Sequence, residues 1–175
     1  MPDPGSAGWR TIGALAELVG GYCWVEGRLF ELTGVWASDP DTEDGPPWGP
    51  EFRVFLAAAS RYHGEMAARW YERLPVRAGV DPGALVVPPV GPDTDQLHSL
   101  ASETWSVARL TGLVQVYLPR VMRAYRSHLV GANPASEGPV MAVLGPALRS
   151  GSEEIARGRS LLDDGVRRGW WNVVG

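Results

Sequence analysis

The chain contains no lysine, a single cysteine and no long apolar run. One cysteine excludes an intrachain disulfide, and Cys23 falls on an apolar stripe, which predicts a buried structural thiol. No uninterrupted apolar stretch approaches the ~20 residues that cross a bilayer, so no membrane partner is expected. Residues 1–8 show no charged segment leading into an apolar one. No signal peptide is therefore expected, and the expected location is cytoplasmic. Excess charge is also lacking. The formal net charge is −4 and no basic patch stands out, which argues against a nucleic-acid partner. With lysine absent, every cation apart from histidine is arginine. Together with the Ala, Gly and Pro richness, this matches the coding bias of a GC-rich bacterial genome.

What remains is ordinary for a soluble globular protein. The 175 residues, 45% hydrophobic and 21% charged, suit one domain with one core. Apolar periodicity predicts four helices. The first covers residues 9–37, with the stripe Leu15, Val19, Tyr22, Cys23, Glu26, Leu29, Phe30, Thr33. A Pro/Gly/Asp loop stops it. The second covers residues 50–74, with Phe52, Leu56, Ala59, Ser60, His63, Met66, Ala67, Trp70 and Leu74 on one face. Residues 75–93 form a long link with five prolines, read as an extended segment laid along the helices. The third helix covers residues 94–130, with the stripe Leu100, Glu103, Val107, Leu110, Val114, Tyr117 and a kink expected at Pro119. Residues 131–138 read as a turn. The fourth helix covers residues 139–164, weakened by Gly145, Pro146 and Gly151. Its stripe runs Val140, Leu144, Leu148, Gly151, Glu154 or Ile155, Gly158, Leu161 or Leu162. Thus residues 1–8 are a flexible N-terminus, 9–164 one domain, and 165–175 a tail carrying Trp170 and Trp171, either a docking patch or a segment folded back.

Glu26, His63, Glu103 and Glu154 interrupt these apolar stripes, one on each helix. A buried carboxylate or imidazole is costly unless paired, protonated or bound. The pattern therefore predicts one polar site inside the core. Two long helices, a long link and two more helices make an all-α layout, that of a four-helix bundle with one long crossover between helices two and three.

This layout and these residues resemble the ferritin-like superfamily, in an uncharacterised actinobacterial branch with a degenerate di-iron motif. Ferritin-like di-iron proteins place Glu on helix one, Glu-x-x-His on helix two, Glu on helix three and Glu-x-x-His on helix four. Here Glu26 holds the first position. Ser60 and His63 hold the second pair, with Ser in place of Glu. Glu103 holds the third. Glu154 and Arg157 hold the last pair, with Arg in place of His. The resemblance implies iron or manganese as the alternative cofactor, through a reduced set of Glu26, His63 and Glu103. The substitutions point instead to no cofactor, since a guanidinium repels a metal.

The expectation is a metal-free acid/base enzyme for cyclisation, elimination or isomerisation of a small molecule, of the kind used in bacterial specialised metabolism. Glu26, His63, Glu103 and Glu154 are the candidate catalytic residues. Facing carboxylates with separated pKa values supply a base and a proton donor. Arg157 would hold an anionic group, and Tyr22, Ser60, Trp70 and Tyr117 would line the substrate pocket. One alternative is a metal-dependent oxygenase or oxidase. Another is a non-catalytic bundle supporting a partner biosynthetic enzyme. A homodimer through an apolar outer face is a further expectation. Glu17, Glu31 and Glu65 read as surface residues, and Asp95 with His98 as decoration of a helix start.

Overall fold

The computed structural model describes residues 10–38, 50–76, 78–79, 81–104 and 106–169. All regular structure among them is helical. No described helix is long and apolar enough to cross a membrane. Trp9, the loop after residue 38, and Trp170 and Trp171 lie outside the described residues.

Helix α1 (Ile12–Ser38) opens after Thr11, whose hydroxyl accepts the Ala14 N–H at 3.1 Å. That bond occupies one of the amides left unpaired at a helix start. Helix α2 (Pro50–Tyr71) begins on proline, which loses nothing there because its missing N–H has no partner in a first turn. The two helices pack along their length. Ser60 secures the seam by donating its hydroxyl to the Phe30 carbonyl at 2.9 Å.

The link after α2 holds one 3₁₀ turn (Pro82–Leu85), opened by the Asp81 side chain accepting the Gly83 N–H at 3.0 Å. It crosses α1 at Gly20 and Gly21. A Cβ on Gly20 would lie 2.0 Å from the Leu85 carbonyl oxygen, so only glycine admits the link at that depth.

The third predicted helix is two pieces rather than one. Helix α3 (Pro92–Ala101) ends, and residues 102–105 separate it from α4 (Ser106–Thr111). The Glu103 carbonyl accepts the Arg109 side chain at 2.7 Å instead of continuing a helix ladder. From α4 the chain widens into a π-helical stretch (Gly112–Tyr117) and resumes as α5 (Leu118–Gly131). The kink expected at Pro119 is taken up by this π stretch. Proline has no N–H for the carbonyl four residues back and collides with it, and a wider turn relieves both faults.

Helix α6 (Pro134–Arg167) is longer than its pattern suggested. The expected turn at 131–138 shrinks to two residues. Asn133 caps the helix by accepting the Ala135 N–H at 2.9 Å, and Pro134 occupies the first turn. The helix runs through Pro139 and Pro146 because Val140, Val143, Leu144 and Ala147 are all buried there. Their packing overrides the local penalty.

The interior divides into two apolar clusters. One gathers Phe52, Phe55, Leu56, Leu110, Leu113, Val114, Tyr117 and Leu162. The other gathers Val19, Met66, Trp70, Met122, Tyr125, Val140 and Leu144. On α2 and α6, His63 and Glu154 fall between the residues of the two clusters, and on α1 Glu26 follows directly where Cys23 of one gives way to Val25 of the other. The polar residues thus mark the boundary between two halves of the core.

Candidate functional site

Three of the four stripe-breaking residues converge. Glu26 and His63 are each 1% exposed and Glu154 is 8% exposed. His63 stands in the middle. Its Nδ1 lies 2.5 Å from Glu26 Oε2, and its Nε2 lies 3.2 Å from Glu154 Oε1. Three helices therefore supply one residue each to a carboxylate–imidazole–carboxylate row. Burial alone would push the His63 pKa down. The two carboxylates outweigh it and hold the imidazole up to about 10. At neutral pH His63 is an imidazolium that donates from both nitrogens.

The row continues inward from Glu26. Tyr125 donates its hydroxyl to Glu26 Oε1 at 2.5 Å and accepts the Trp70 indole N–H at 3.0 Å. Burial first, and then the Glu26 charge, push the Tyr125 phenol well above its ordinary range. Tyr125 is therefore a fixed donor. Glu26 is fully occupied by Tyr125 and His63.

Glu154 differs. Its Oε1 faces His63, while its Oε2 is buried with no protein hydrogen-bond partner. Glu154 also lines a cleft of about 220 Å³ between α2 and α6. Phe55 and Tyr62 line the same cleft, as do the charged residues Arg61, Glu153 and Arg157. Glu154 is the one member of the row that also borders the cleft. The Tyr62 hydroxyl donates to the Ala147 carbonyl at 3.3 Å, and burial keeps the phenol above its ordinary range.

The remaining candidates fall elsewhere. Glu103 does not join the row. It sits half-buried in the break between α3 and α4, where its Oε1 accepts the Thr104 N–H at 2.9 Å. The helical face that would have carried it inward ends at Ala101. His63 therefore bridges Glu26 to Glu154, not to Glu103. Ser60 faces the α1 backbone and not the cleft. Trp70 belongs to the inner end of the row, and Tyr117 is 1% exposed within the larger apolar cluster. Arg157 lines the cleft and is exposed; no ion pair to Glu154 is formed. Cys23 is buried, with its thiol on the Ala67 carbonyl at 3.3 Å, and burial raises its pKa. Glu65 pairs with Arg61 at 3.8 Å on the surface, and Glu17, Glu31, Asp95 and His98 are exposed.

A second buried polar group escaped the sequence reading. Glu137 and His128 are 1% and 2% exposed. Arg10 reaches both Glu137 oxygens at 3.0 Å, and His128 Nε2 donates to Glu137 Oε2 at 2.7 Å. Tyr22 lies here rather than in the cleft, its hydroxyl 3.2 Å from His128 Nδ1. Burial holds the His128 pKa down, so this imidazole is neutral: Nε2–H donates and Nδ1 accepts from Tyr22. Burial opposes ionisation of Glu137, but the bonds from His128, the Asn133 amide and Arg10 overcome it and lower its pKa. Asn133-Pro134 followed by Glu137 is a helix-start signature that would have placed Glu137 in a first turn.

The metal set of Glu26, His63 and Glu103 is not assembled. A metal needs a ring-nitrogen lone pair on histidine, and both His63 nitrogens are committed to carboxylates. Among the described residues no group of three or more His, Cys, Asp or Glu side chains is arranged to hold a metal ion. The residues as arranged do not fit such a group. The sequence matches no protein-family profile, no curated protein and no solved structure.

Proposed function

We propose that the chain is a ferritin-like bundle in which a carboxylate–imidazolium–carboxylate row occupies the place of a di-iron centre. We further propose that it acts as a metal-free acid/base enzyme on a small molecule held in the α2–α6 cleft. The single observation behind this reading is Glu154, a cleft-lining residue with one oxygen on the buried imidazolium and the other buried without a partner.

The chemistry follows from that placement. The row sets two carboxyl groups against one imidazolium. Glu154 is its only member with an unoccupied acceptor. As a substrate nitrogen or oxygen forms a new bond to carbon and a leaving group departs with its electron pair, the N–H or O–H proton would pass to Glu154. His63 steadies Glu154 before the transfer and keeps its own proton, since its pKa lies near 10. Glu26 and Tyr125 position His63 without touching substrate. Phe55 and Tyr62 shield one side of the reacting group from water, and Arg157 lies one helical turn from Glu154 to hold an anionic group.

Proton transfer without redox chemistry has a general readout. The protein is incubated in D₂O with a pool of small alcohols, amines, carboxylic acids and amino acids, and mass spectrometry follows new products and deuterium fixed at carbon, since N–H and O–H positions exchange with solvent unaided. The wild type should convert or exchange at least one compound. Glu154→Gln, with its helical circular dichroism retained, should lower that rate by about a hundredfold. Equal rates in the two proteins would remove the enzyme reading and leave a bundle that only supports a partner.

A further inference from the structure

We infer that the cleft between α2 and α6 is a binding site for a small amino acid, taken as a zwitterion, with its ammonium on Glu154 and its carboxylate on Arg157. The inference rests on the acid/base reading of Glu154 and adds the class of substrate.

The floor of the cleft selects for a hydrogen-bond donor carrying positive charge. Glu154 is nine-tenths buried and its Oε2 lacks a partner; that oxygen is itself covered, so the carboxylate must turn about its side-chain bonds to meet a donor in the cleft. A buried polar oxygen left unpaired costs on the order of 1–3 kcal/mol, and more when charged, so a donor at this point is strongly favoured. The row behind it has two carboxylates against one imidazolium. An anion or a bare acceptor at the floor would meet repulsion, whereas an ammonium would balance the row.

The rim selects for the opposite charge. Arg61 and Arg157 stand there against the single acid Glu153. Arg61 has only a 3.8 Å contact to Glu65, with both side chains more than half exposed, and such a pair is weakly held. Arg157 follows Glu154 by one turn on the same helix. The two residues start ~5–6 Å apart at Cβ, a spacing that the long guanidinium adjusts to the short reach between the two ends of an amino acid. The planar guanidinium also matches a carboxylate with two parallel hydrogen bonds.

Size and wall chemistry narrow the class further. A cleft of about 220 Å³ has room for a ligand the size of a free amino acid. Phe55 and Tyr62 offer an aromatic wall for a short apolar side chain.

The test is a titration of the ¹⁵N-labelled full chain with L-alanine, β-alanine and L-methionine. Butylamine supplies the ammonium arm alone and butyrate the carboxylate arm alone. At least one amino acid should shift cleft amides such as those of Ala59 and Ser150 with at least tenfold higher affinity than either single-arm probe. Glu154→Gln should weaken that binding roughly ten- to a hundredfold, the range of a charge-assisted hydrogen bond. Arg157→Gln, a change at an exposed position, should weaken amino-acid binding and leave butylamine unaffected. Butyrate or butylamine binding as tightly as the amino acids would overturn the inference, as would silence of the cleft amides at tens of millimolar amino acid. The D₂O assay separates this failure from the broader one. Conversion of another compound class, or deuterium fixed at its carbon, that depends on Glu154 would sink the amino-acid assignment alone, and its absence would sink both.

Discussion

His63 makes the protein's alkaline stability a direct measure of the buried row. The free-chain value for histidine is ~6.5, and the folded row holds His63 up to about 10. The folded state therefore binds this proton more tightly than the unfolded state. Its contribution is complete below about pH 6.5 and is lost as pH rises through about 10. Between those limits stability should fall by about 1.4 kcal/mol per pH unit, a total of roughly 4–5 kcal/mol. Full burial of the imidazole means that solvent screening takes little from this figure. For a small domain that total is a large share of all stability. The assay is urea unfolding from about pH 6 to about pH 10.5, on the wild type and on His63→Gln. The wild type should weaken progressively across the interval. The variant should be less stable at neutral pH and nearly flat where the wild type declines. Titrations elsewhere, such as that of Cys23, are common to both proteins and cancel in the difference. Parallel curves would refute the reasoning. So would a ¹⁵N spectrum showing a bare His63 ring nitrogen at pH 7.5.

Three further outcomes are expected. Tyr125→Phe removes the donor to Glu26 and the acceptor of the Trp70 indole, so chemical denaturation should show a loss of about 1–3 kcal/mol with little change in helix content. Gly20→Ala drives a Cβ into the Leu85 carbonyl and should cost about 1–3 kcal/mol in a thermal scan, whereas Gly21→Ala, 3.4 Å from the Pro89 side chain, should be better tolerated. In acid, the lowered pKa of His128 removes stability as pH falls through ~6.5, and the lowered pKa of Glu137 removes more at still lower pH, below the ordinary carboxylate range. Glu137→Gln should flatten that acid limb in pH-dependent unfolding.

The all-α class and the three converging residues were legible because Glu26, His63 and Glu154 each lie on long, unbroken helices. There, spacing along the sequence converts directly into an angle around the helix axis. Glu103 failed for the same reason in reverse. The break at 102–105 resets the angle, and no strong breaker residue announces it. Tyr125 and His128 lie beyond the π stretch, where a count at 3.6 residues per turn has lost its phase. Glu137 was hidden by placing the last helix start at Pro139, although Asn133 and Pro134 already marked an earlier one. Two prolines inside α6 read as weakness, and only tertiary packing shows why the helix survives them.

The π stretch carries a consequence for how the polar groups of the protein came to meet. One residue more than an α turn requires swings everything after it by ~100° about the helix axis. Met122, Tyr125 and His128 all lie past that point, and all three are buried. Tyr125 completes the row at Glu26, and His128 completes the group at Glu137 and Tyr22. Closing Gly112–Tyr117 to an α-helical pitch with no residue removed would turn both side chains away together. One local widening of a helix therefore sets the angular phase of two separate buried assemblies.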